Sequence, residues 1–173
     1  MLIFMQNNLS LSSFYNWLGK LKFIPFVFVI LLFSYIIFIP FLIFEFFVPN
    51  IAENLTDVAQ KVIEKEKGFL GAFIVSCIIV PVLETFLLQF LPIQTLQKFF
   101  KQSILFPILI SAMLFALTHF YDILYVILMF LIGIVYAVGF VVYGKQRTVR
   151  HAFWAIALAH SLANCINLLF NLG

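Results

Sequence analysis

Apolar side chains fill five long blocks of the chain with few polar interruptions, approximately Phe23–Val48, Phe69–Leu91, Ile104–Phe120, Ile123–Tyr143 and Ala152–Leu172. A helix needs roughly 17–25 such residues to cross a bilayer, so each block predicts a membrane span, the third a short one. The first is long enough to tilt, and Pro40 inside it predicts a kink, because proline removes a backbone donor and crowds the preceding turn. Ahead of the blocks, Leu11, Phe14, Trp17, Leu18 and Leu21 recur at helical spacing, as in a short helix lying in the membrane interface.

Between the first two blocks, Pro49–Gly68 is the clearly water-facing stretch. Asn50 followed three residues later by Glu53 resembles a capping box, and Ile51, Leu55, Val58 and Val62 make one apolar stripe. Such a connector is either an amphipathic helix resting on the bilayer or a lid over a site within it.

Composition supports lipid as the solvent of the bulk of the chain. Of 173 residues 65% are hydrophobic and only 10% charged, and the mean hydropathy is +1.16. Soluble domains carry about 25% charged residues. The expected fold is an all-α, multi-pass helical bundle forming one domain, residues 1–68 supplying the interfacial helix, first span and connector and residues 69–173 the core. Cys77 and Cys165 fall in apolar runs and read as small buried hydrophobes.

The formal charge of +3 is unevenly spread. With five spans, Lys20, Lys22, Lys98, Lys101, Lys145, Arg147 and Arg150 share one side. Lys61, Lys65 and Lys67 lie on the other, mixed with Glu53, Asp57, Glu64 and Glu66. Basic loops favour the cytoplasm, which predicts a cytoplasmic N-terminus and an external C-terminus in the cell membrane, and explains the charge without a nucleic-acid partner. Lys20 and Lys22 follow twenty residues instead of leading them, unlike a cleaved signal peptide. Without a visible inverted repeat, the common transporter plans fit poorly.

Ionisable groups inside hydrocarbon cost at least ~2.5–3.5 kcal/mol each on insertion scales and call for a reason. Glu84 lies about 10 Å inside its span, counted from Leu91 at the helical rise. His119 closes the third block, about 18–24 Å along its helix, while His160 and Asn164 lie about 13 and 20 Å into the fifth. His160 and Asn164, at i and i+4, share a helix face, where such polar pairs also serve to glue helices together. Glu45 and His151, near span ends, carry no special expectation.

Taken in order, these residues match a known pattern. Phe115-Ala116-Leu117-Thr118-His119 fits Phe-x-x-x-His, and His160-Ser161-Leu162-Ala163-Asn164 fits His-x-x-x-Asn. Glu84-Thr85-Phe86-Leu87-Leu88-Gln89, preceded by Pro81, keeps part of Glu-Glu-x-x-x-Arg. The chain thereby resembles the CPBP family of intramembrane proteases (CAAX proteases and bacteriocin-processing enzymes, also called the Abi family) over approximately residues 69–170. Gly133 and Gly139 also suit its fourth span. The second Glu and the Arg of the family pattern are replaced together by Thr85 and Gln89. That exchange is charge-neutral and puts two hydrogen-bonding groups where an ion pair would stand.

The resemblance implies an intramembrane endopeptidase acting on a membrane-associated peptide or protein. Glu84 and His119 would hold and deprotonate the attacking water, and His160 and Asn164 would donate to the oxyanion, with Thr85, Gln89 and Phe115 in support. A metal-free glutamate mechanism is favoured, since no His-Glu-x-x-His helix is present. The alternative is zinc held by Glu84, His119 and His160. A second class of function is a CPBP-like membrane scaffold or immunity-type binding protein that has lost turnover.

Overall fold

The computed structural model describes residues 9–47, 68–100, 103–120 and 123–170. The connector reading at Pro49–Gly68, with its capping box, stripe and lid, lies outside them apart from Gly68 itself.

Among the described residues the regular structure is all helical, with no strand. The short helix α1 spans Leu9–Lys20 and α2 spans Phe23–Phe47 with Pro40 inside it. A long α3 runs Gly68–Phe99. It is followed by α4 at Leu105–Leu117, α5 at Ile123–Gln146 and α6 at Val149–Phe170. Four helices, α2, α3, α5 and α6, are long and apolar enough to cross a membrane. Five spans were expected, and α4 corrects the third: it has only 13 residues, about 20 Å, against a hydrocarbon core of about 30 Å.

The outward faces are what lipid would solvate. Ile24, Phe28, Leu32, Ile36, Ile39 and Ile43 recur down one side of α2 and are all exposed, while Phe26, Val27, Ile30, Leu31 and Ser34 on the other side are buried. An apolar stripe of that length exposed to water would be an aggregation liability. In α1, Leu18 is buried while Phe14 and Trp17 face outward, the disposition expected of a helix in the interface. Arg147 ties this end together by donating to the carbonyls of Lys20 and Leu21. The basic residues of the α1–α2 and α5–α6 corners therefore share one end of the bundle.

α5 is the central helix and packs against α4, α6, α2 and α1. Its approach to α4 depends on Gly133, where an added Cβ would lie 3.0 Å from the Cα and 3.1 Å from the carbonyl oxygen of Ala112. Gly139 likewise leaves room for Ile30 and Ile156.

α3 is not a uniform α-helix. It widens to π geometry at Val75–Ile79 and again at Thr85–Phe90, on either side of the α-helical turn Val80–Glu84. Both wide turns precede a proline. Val80 N–H bonds to the carbonyl of Val75, so the next bond in that register would run from residue 81 to Ser76. Pro81 has no N–H to give, and the Ser76 carbonyl is left over. Similarly, Pro92 cannot supply the ordinary α-helical bond to the carbonyl of Leu88. Asn164 of α6 and Ser111 of α4 fill these two places, with donor–acceptor distances of 2.9 and 2.6 Å. An unpaired carbonyl in hydrocarbon would cost several kcal/mol, so these interhelical bonds let a proline-bearing helix stay in the membrane.

Candidate active site

Glu84 is the last residue of the α-helical turn between the two π turns. Its depth corrects the sequence expectation. α3 continues past Leu91 to Phe99, so the carboxylate lies on the order of 20 Å from that end rather than 10 Å. His119, in the turn after α4, is about 21 Å from Leu105 by the same rise. The two therefore sit at one level: His119 Nε2 is 3.8 Å from Glu84 Oε1, and His160 Nε2 is 3.5 Å from Glu84 Oε2. Residues from α3, α6 and the turn after α4 thus converge as one carboxylate flanked by two imidazoles.

Phe115 holds both rings. Its phenyl ring lies 4.8 Å from the His119 ring and 5.5 Å from that of His160, edge-on to the latter. Its carbonyl, left unpaired near the end of α4, is 2.8 Å from His119 Nδ1. A carbonyl can only accept, so Nδ1 carries a proton, and in neutral His119 the lone pair is on Nε2 facing Glu84. Thr118 Oγ1 also donates to this carbonyl. Tyr136 of α5 packs against His160 at 5.3 Å between ring centroids.

Asn164 is on the wall of a cavity beside the two imidazoles, but one amide N–H is committed to Ser76. Thr85 and Gln89 are both buried and do not bond to each other. Gln89 Oε1 is 2.7 Å from Ser111 Oγ instead. Ser111 has a single proton and an acceptor in Leu88, so a flipped Gln89 amide donating to Ser111 satisfies all three groups. Glu84 Oε2, Thr85 Oγ1 and His160 Nδ1 are buried without a hydrogen-bond partner, as is the Gln89 amide atom that faces away from Ser111. Each such atom costs about 1–3 kcal/mol, and their concentration around one carboxylate marks a functional site more than a packing core.

A cavity of about 70 Å³ opens beside the imidazoles, lined by His119, His160 and Asn164 and by Ser34 and Tyr35 of α2 and Tyr136 of α5. Room for one water takes roughly 10–15 Å³ by this measure, so several fit. The contributions of α2, and those of Ser76 and Ser111, were not anticipated from sequence. Isolated hydroxyls in apolar helices carry no spacing signal, although Pro81 and Pro92 did mark where carbonyls would need partners.

Among the described residues no set of three or more His, Cys, Asp and Glu side chains is disposed to hold a metal ion. His151 serves locally: its backbone N–H and ring both meet Thr148 Oγ1, capping α6. Cys77 is buried and Cys165 half-buried, both as free thiols.

Residues 66–166, more than half of the chain, match the family model described as type II CAAX prenyl endopeptidase Rce1-like. No curated protein and no solved structure matches the chain.

Proposed function

The chain belongs to the Rce1-like family of type II CAAX prenyl endopeptidases, and from that premise we propose that it hydrolyses a peptide bond of a membrane-associated substrate with water activated by Glu84. The observation that carries this reading is the pair of 3.5 and 3.8 Å contacts joining the Glu84 carboxylate to both imidazoles. These distances are too long for direct hydrogen bonds and suit a bridging water.

The His119 tautomer supports a role for that water. With Nδ1–H given to Phe115, His119 Nε2 can only accept, as can an ionised Glu84. A water donating one proton to each turns an oxygen lone pair toward the substrate carbonyl carbon. Attack forms the new C–O bond while the water's proton passes to Glu84. The tetrahedral oxyanion then collapses, the C–N bond breaks, and the proton goes on to the leaving amine. His160 and the second amide N–H of Asn164 donate to the oxyanion. Anchoring of the first N–H by Ser76 holds that donor in place beforehand, which is how such groups stabilise a transition state most cheaply.

In this reading the basic end of the bundle faces the cytoplasm and α4, though short, still carries the chain across as one of five passes, putting the N-terminus inside and the C-terminus outside a cell membrane. The test is cleavage by the protein reconstituted in vesicles with lipid-anchored peptides, products being identified by mass. A single new amine and a single new carboxylate per cut peptide are expected. Failure to cut any such peptide, with the bundle intact, would favour the scaffold alternative.

A further inference from the structure

Tyr35 lies on α2, outside the segment that matches the family model. Its side chain is on the wall of the cavity that holds His119, His160 and Asn164. The hydroxyl is 3.3 Å from the carbonyl oxygen of Ala163 and 3.3 Å from Asn167 Oδ1. One O–H cannot serve both acceptors, and each distance exceeds the usual ~2.5–3.0 Å for such a bond. The proton is therefore loosely held.

Ser34, Tyr125 and Tyr136 also bring hydroxyls to the cavity wall. Ser34 donates to the carbonyl of Ile30 at 3.0 Å, and Tyr136 is almost fully buried with its ring against that of His160. The Tyr125 ring lies against that of His119, 6.1 Å between centroids. Tyr35, with its proton shared between two distant acceptors, is a wall hydroxyl whose donor can turn to a ligand at little cost. Its position is also suitable. α2 packs on α5 and α6, and the part of α3 around Glu84 packs on α4, α5 and α6, so Tyr35 and the Glu84–His119 pair approach the cavity from different helices. A carbonyl in the cavity would then have Glu84 and His119 toward one side and Tyr35 toward another, as attack on carbon and stabilisation of oxygen require.

We infer that Tyr35 donates a hydrogen bond to the oxygen of the scissile peptide carbonyl, joining His160 and Asn164 as a catalytic residue. The inference rests on the protease reading above. Tyr35→Phe removes only the hydroxyl. Loss of one oxyanion donor typically lowers kcat by about 10²–10³-fold, and the lower end is expected here, with KM and the thermal midpoint close to those of the parent.

Tyr35→Phe and Glu84→Gln are compared with the parent in the same reconstituted cleavage assay. A roughly 10²-fold drop in kcat for Tyr35→Phe, with Glu84→Gln inactive, supports the assignment. Full kcat in Tyr35→Phe with Glu84→Gln inactive overturns it and leaves the protease reading standing. A loss of activity accompanied by a fall in thermal midpoint of more than about 5 °C also overturns it, marking the hydroxyl as a fastener between α2 and α6. Parent-level cleavage by Glu84→Gln removes the premise itself.

Discussion

Asn164 gives one amide N–H to the backbone carbonyl of Ser76, 2.9 Å away, at the place where Pro81 leaves that carbonyl without a helical donor. A residue on the wall of the candidate active site is therefore also the clasp between α6 and the first wide turn of α3. The two roles share one side chain, and the first prediction separates the structural one.

Asn164→Ala should destabilise the bundle by about 1–2 kcal/mol, the upper range for interhelical hydrogen bonds in membranes. In a Pro81→Ala background residue 81 regains its N–H, the helix can satisfy Ser76 itself, and Asn164→Ala should cost distinctly less. A double-mutant cycle on thermal unfolding in detergent reads the coupling. Strict additivity would mean that the proline is not what makes Asn164 necessary.

Thr85→Glu puts a carboxylate at a position that is 1% exposed. An uncompensated buried charge costs about 3–5 kcal/mol, so a large fall in stability is expected. Adding Gln89→Arg should recover part of it and no more, because the new guanidinium gives up the contact of Gln89 with Ser111. Complete recovery, or none, measured by the same unfolding assay would contradict this account of the altered motif.

Gly133→Ala should push α4 away from α5, since the added methyl meets backbone atoms at 3.0 and 3.1 Å that cannot swing aside. Overpacking of this kind costs about 1–3 kcal/mol, and cleavage should fall as His119 shifts relative to Glu84. Gly144→Ala is the comparison: its nearest neighbour is 3.6 Å away, an ordinary contact. Equal tolerance of both substitutions would show that the helix approach at Gly133 has slack.

These cases also show how far the sequence could be read. Long apolar blocks disclosed most of the bundle because lipid-facing and core-facing residues are both apolar. The same signal lost α3 beyond Leu91, where Leu91-Pro92-Ile93-Gln94-Thr95-Leu96-Gln97 is amphipathic, and so set Glu84 too shallow. It also overextended α4, because apolar residues continue through the turn that carries His119. The spacing of His160 and Asn164 was legible within one helix. Their separate partners, Glu84 and the Ser76 carbonyl, depend on how α3 is wound. Tyr35 gave no signal, since a tyrosine among apolar residues reads equally as an interfacial anchor.

Chelation offers a direct check on the chemistry. If Glu84 and the two histidines act without a metal, cleavage should persist after prolonged treatment with a strong chelator and should not rise when zinc is returned. Loss on chelation with recovery on adding zinc would assign these residues as ligands instead.

The central claim is that Glu84 takes a proton from water. Glu84→Gln preserves shape and hydrogen-bonding capacity and removes the ability to accept that proton at neutral pH. Single-turnover cleavage of a bound peptide, with binding measured separately, isolates this step. A fall of ~10²-fold or more in the cleavage rate, with fold and peptide affinity retained, is the predicted result. Cleavage at the parental rate would contradict the account.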